Sequence, residues 1–122
     1  MTKTLLDCGN CGPDYNTIRK MVKSHFDAAV IQTHGGPDDA YRITENWEII
    51  NMEYCAKASC EYLTAHNRTV IDCPHTYGHT NHPNIGGTTL LPFFKAHKSG
   101  TSSPYADSGL PSYFPSVCRL VR

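Results

Sequence analysis

"TVIDCPHTYGHTNHP", residues 69–83, decides how the rest of the chain is read. It begins as a continuous apolar run of the kind buried in a parallel sheet and breaks into a loop with three histidines behind a cysteine. Two chemistries fit that loop. Cys73, His75, His79 and His82 put four soft or borderline donors within ten residues, the ligand types of zinc and copper. Alternatively, one histidine works: His79, framed by Gly78 and Thr80, where a glycine lets the backbone approach a partner closely. A working histidine needs a carboxylate to orient it and a nucleophile to deprotonate.

Outward from this loop, strands and helices alternate. TLLDC (4–8) predicts a short strand, GNCGPD a glycine-rich turn, and residues 14–25 a helix capped by Asp14, with Ile18, Met21 and Val22 on one stripe. AAVIQT (28–33) predicts a second buried strand, stopped by HGGPDD (34–39). Residues 46–65 predict a long helix, because Trp47, Ile50, Tyr54, Ala58 and Tyr62 step by three and four. That spacing makes Trp47, Tyr54 and Tyr62 core residues, with Asn67 closing the helix. TVIDC (69–73) predicts the third strand. A last helix is expected over 88–97, carrying Leu90, Leu91, Phe93 and Phe94. His25, His66 and His97 each fall near a helix end, where an imidazole suits the dipole.

This order predicts an α/β domain over 1–97, a small three-layer sandwich with a short, mostly parallel sheet. Residues 98–122, rich in Ser, Pro and Gly, predict an irregular C-terminal tail packed on it. Three strands make a thin sheet, as if part of a larger one were missing.

Eleven basic and eleven acidic side chains cancel, so no electrostatic footprint for nucleic acid or an anionic membrane is present. No apolar run reaches the length of a membrane span, and the start, MTKTLLDCGN, lacks the layout of a secretion signal. A cytoplasmic chain is therefore expected. The six cysteines, 8, 11, 55, 60, 73 and 118, are then expected to be mostly free, buried thiols.

"THGGPDD", "VIDCPHTYGHTNHP", "PFFKAH" and "SPYADSGLPSYFPSVC", in this order, resemble the C-terminal part of an α/β-hydrolase, residues 28–118. The nearest group is the esterases and polyhydroxyalkanoate-depolymerase-like enzymes. The resemblance implies an incomplete α/β-hydrolase-like fold and carboxylic-ester chemistry without a cofactor or metal. Its Gly-Gly-x-x-Asp turn puts the acid on Asp39, and its Cys-x-His-x-x-Gly-His loop puts the base on His79. The family's G-x-S-x-G nucleophile elbow occurs nowhere in the chain. Cys11, in a turn before the first predicted helix, is the candidate substitute, since a helix N-terminus lowers a thiol pKa; Pro13 stands where the elbow needs its second glycine. The expected partners are an ester substrate and either a complementing subunit or a second copy of the chain.

Rival readings stay open. Residues 3–41 resemble the start of a bacterial response-regulator receiver domain, which implies a non-enzymatic regulatory module. Cys8-x-x-Cys11 has the spacing of a redox pair and, with the histidine loop, of a metal-binding domain. Gly86-Gly87-Thr88-Thr89 offers free amides to an anion, or is a plain helix start.

Overall fold

The computed structural model describes residues 29–98 and 100–121. The expected strand at 4–8, the helix at 14–25 and the turn holding Cys8 and Cys11 lie outside the described residues. So does most of the receiver-like stretch.

The apolar run after residue 28 becomes strand β1, Val30–His34. It pairs in parallel with β4, Val70–Pro74, with Val30 opposite Val70 and His34 opposite Pro74. Successive β4 side chains point to opposite faces. Val70 joins Cys60 and Leu63 in one apolar cluster, whereas Ile71 and Cys73 join Phe93, Tyr105, Phe114 and Cys118 in the other. Both faces of β4 are thus covered, which is why this strand reads as an unbroken apolar run.

The expected helix over 46–65 is corrected at its front. Residues Trp47–Asn51 form strand β3, which turns back on strand β2, Ala40–Thr44, as an antiparallel hairpin. Helix α1 starts only at Met52 and runs to Ala65. Asn51 sits in extended backbone and its side chain accepts the Tyr54 N–H at 3.2 Å, an N-cap that fixes the start. The three-and-four spacing had joined two elements into one stripe. Trp47 and Tyr54 consequently lie in solvent, 58% and 62% exposed, instead of in the core. The far end is as expected: Asn67 takes a left-handed backbone, φ 59°, and the His66 ring donates to the Tyr62 carbonyl at 2.7 Å.

Helix α2 covers Gly87–Ala96, and His97 caps it through a 2.7 Å hydrogen bond from Nδ1–H to the Phe93 carbonyl. The tail is more ordered than its composition implies. After a short helix α3, Tyr105–Ser108, the chain ends in strand β5, Arg119–Val121, antiparallel to β4. The sheet is therefore mixed, in the order β1-β4-β5, with the β2-β3 ribbon beside it.

The free-thiol expectation fails for most of the described cysteines. β5 brings Cys118 alongside Cys73, and the two form a disulfide; Cys55 is disulfide-bonded as well. Cys60 is free and buried, and burial, with the Asp72 carboxylate nearby, pushes its thiol up to about 12. Among the described residues no helix is long and apolar enough to cross a membrane.

Candidate active site

The two loops that carry the chemistry leave the same end of the sheet, because β1 and β4 run in parallel. The His75 N–H donates to the His34 carbonyl at 2.9 Å, extending the pairing by one step. From there each loop turns on a glycine in left-handed backbone, Gly36 (φ 75°) in one and Gly78 (φ 71°) in the other. Gly36–Asp38 makes one 3-10 turn, closed by the Asp39 N–H on the Gly36 carbonyl at 3.0 Å. The Asp39 carbonyl then accepts the Met52 N–H at 2.9 Å, which ties the turn to the start of α1.

Asp39 and His79, forty positions apart, meet at this rim. His79 Nδ1 lies 2.7 Å from Asp39 Oδ1. The other carboxylate oxygen accepts the Gly35 N–H at 2.8 Å. A buried carboxylate facing Nδ1 selects the tautomer with its proton on Nδ1, so Nε2 presents a lone pair. The Asp39 side chain is only 6% exposed, whereas that of His79 is 84% exposed. Among the described residues, Nε2 has no hydrogen-bond partner. The arrangement is an oriented imidazole with a free basic nitrogen, competent to take a proton from a hydroxyl or thiol brought against it.

Burial alone would raise the Asp39 pKa, but the Gly35 N–H and the His79 ring stabilise the carboxylate more, and the net shift is downward. A carboxyl held lower in the folded chain than in the unfolded one stabilises the fold above its unfolded pKa. That stabilisation is lost as pH falls through the folded value. Asp39→Asn is therefore expected to lower Tm near pH 6 and to lose its effect as pH falls below the ordinary carboxylate range. Parallel thermal melts of both proteins across that range check this; a pH-independent difference would contradict it.

The acid and base loops touch through their backbones. A Cβ placed on Gly35 would fall onto the Gly78 carbonyl and lie 2.8 Å from Gly78 Cα, with no flexible side chain to yield. Gly35→Ala is thus expected to push the loops apart, destabilising by about 2–3 kcal/mol and breaking the Asp39–His79 bond. Urea titration gives the first quantity. The hydrogen-bonded His79 Nδ1–H resonance reports the second.

The tetrad of ligands suggested by the histidine loop does not assemble. Cys73 is consumed in its disulfide, and His79 Nδ1 faces Asp39. His75 and His82 each use Nδ1 to accept a main-chain N–H, from Tyr77 at 3.1 Å and from Asn84 at 3.0 Å. Among the described residues no three His, Cys, Asp or Glu side chains are grouped to hold a metal ion. Cys11, the candidate nucleophile, lies outside the described residues. Gly86 is the N-cap of α2 and Gly87 its first residue, and the buried Thr89 hydroxyl donates to the Asn84 carbonyl at 3.0 Å.

One polar cluster escaped the sequence reading. Asp72, on β4, accepts Arg119 Nη2 at 2.9 Å and Gln32 Nε2 at 3.0 Å, with His34 Nε2 3.4 Å away. It joins all three strands of the sheet. Its only sequence signal was a polar residue inside each of two apolar runs, at 32 and 72.

No family model matches the chain, and neither a curated protein nor a solved structure matches it.

Proposed function

We propose that this chain is the acid-and-base part of a carboxylic-ester hydrolase of α/β-hydrolase type, with the serine nucleophile carried on a separate segment or subunit. The observation that carries it is the 2.7 Å contact between His79 Nδ1 and a buried Asp39 that also accepts the Gly35 N–H. Two parallel strands, each followed by a loop that carries one member of the dyad, match the chain order acid then histidine of that fold. Ligands of open α/β sheets bind at the carboxyl ends of strands, where this dyad lies. The helix α1 on one face and α2 with the tail on the other fit an incomplete three-layer sandwich.

In this mechanism His79 Nε2 removes the proton of the incoming hydroxyl as it attacks the ester carbonyl. The same nitrogen then returns the proton to the leaving alcohol. Asp39 keeps the imidazole in the productive tautomer and balances its charge when protonated. The disulfides at Cys73–Cys118 and Cys55 favour an oxidising compartment over the cytoplasm.

The test is hydrolysis of p-nitrophenyl butyrate by the chain mixed with the product of the coding sequence next upstream. Turnover that needs both, and that vanishes when the upstream elbow serine is alanine, is the expected result. An upstream sequence without G-x-S-x-G, together with no turnover by the chain alone, would overturn the proposal.

A further inference from the structure

The cysteines of this chain do not divide evenly into pairs. Cys73 and Cys118 are joined to one another, and Cys60 is free and buried. Cys55 is disulfide-bonded, and of the six cysteines only Cys8 and Cys11 are left to be its partner. Both lie outside the described residues; the count alone identifies them. Three cysteines thus share one bond, and whichever of Cys8 and Cys11 is not joined to Cys55 keeps its thiol. That spare thiol is three positions from a bonded sulfur, the Cys-x-x-Cys spacing of exchangeable disulfides.

Cys55 lies in the first turn of α1, three residues after Met52, whose N–H the Asp39 carbonyl accepts at 2.9 Å. We propose that the bond at Cys55 is a latch holding the segment before β1 to this turn, and that the spare thiol of Cys8-x-x-Cys11 opens it. The spare thiol gives its proton to water and attacks the bonded sulfur of its own pair. The Cys8–Cys11 bond forms, the bond to Cys55 breaks, and Cys55 departs as a thiolate that takes a proton back from water. No oxidant or reductant enters, since one disulfide replaces another. Attack at the other sulfur is disfavoured, because Cys55 is only 9% exposed. The positive end of the α1 dipole favours the departing thiolate. Chain entropy sets the direction. A bond from position 8 or 11 to 55 closes a far longer loop than the Cys8–Cys11 ring. The folded contacts of α1 therefore hold the latch shut, and loosening them favours the ring. The latch is independent of ester hydrolysis, and its test reads covalent connectivity alone.

The experiment is peptide mapping of the intact oxidised chain, its thiols capped with N-ethylmaleimide in acid guanidinium. Trypsin separates Cys8 and Cys11, on peptide 4–19, from Cys55, on peptide 43–57. The expected main product is these two peptides cross-linked and carrying one maleimide on position 8 or 11. A second population has peptide 4–19 closed on itself and Cys55 capped. Warming to just below Tm at pH 8.5 is expected to raise the second at the expense of the first. The same warming at pH 5 leaves the ratio unchanged, because exchange slows about a thousandfold with the thiolate fraction. Cys8→Ser and Cys11→Ser each leave Cys55 one partner and no spare thiol, so neither is expected to show the second population. Absence of the 4–19 to 43–57 cross-link would overturn the proposal. So would a ratio that warming at pH 8.5 does not change, or Cys55 released to the same extent in either serine variant.

Discussion

Alanine at position 79 is expected to cut kcat/KM for short p-nitrophenyl esters by about 10,000-fold in the complemented enzyme, about 5.5 kcal/mol of transition-state stabilisation. The size follows from the role. Without an imidazole at this rim nothing described lies in position to accept the attacking hydroxyl's proton, and substrate binding with any oxyanion donors supplies what activity remains. Stability should hardly move. The ring is mostly solvent-exposed and its ion pair with Asp39 has one partner in water, so unfolding is expected to change by less than about 1 kcal/mol. Asp39→Asn should retain the contact while offering an amide, which favours the wrong tautomer and lowers the rate toward that of the alanine variant. Steady-state kinetics and thermal melts on the same preparations separate chemistry from folding. A variant at 79 with wild-type kcat/KM would remove His79 from the mechanism.

Loss of the Cys73–Cys118 disulfide is expected to cost about 4 kcal/mol, the chain-entropy value for a closed loop of this length. The bonded cysteines are 45 positions apart, and the loop contains all three histidines of the segment after Cys73, α2 and the tail up to β5. Both cysteines belong to the apolar cluster with Ile71, Phe93, Tyr105 and Phe114, so reduction also loosens the side of the sheet that supports β5. Against a typical domain stability of about 5–15 kcal/mol, such a loss is a large fraction. Urea unfolding of the double variant Cys73→Ala, Cys118→Ala measures it. A change below about 1 kcal/mol would show that pairing of β5 with β4 suffices without the covalent link.

Much of this arrangement was legible in the residues. The apolar runs at 28–33 and 69–73 anticipated β1 and β4 to within two residues; β4 is buried on both faces, whereas β1, expected to be buried, is half-buried up to His34. The helix at 88–97 differs from α2 by one residue at each end. The pairing of positions 39 and 79 needed more than periodicity. It came from the resemblance of the Gly-Gly-x-x-Asp turn and the Cys-x-His-x-x-Gly-His loop to those of α/β-hydrolases, each placed just after a predicted strand.

What stayed hidden has physical reasons. Strand β3 was absorbed into a helix because Trp47, Ile50 and Tyr54 happen to fall at helical spacing across a strand-to-helix boundary, and β2 was left unassigned. The cap at Asn51 that marks this boundary is a common residue type with no distinctive neighbour. β5 has three residues and takes its strand state from β4, so local propensity had nothing to report. Cysteine pairing depends on which chain segments meet in space, and six cysteines allow fifteen connectivities on paper.

The contact of Gly35 with Gly78 makes those two positions a single hinge pin joining distant parts of the chain. The spacing of carboxylate and imidazole is thereby gauged by main-chain thickness and not by the fit of surrounding side chains. Loosening the apolar interior by a methyl group here or there should leave that gauge unaltered. A single added carbon at the pin should spoil it.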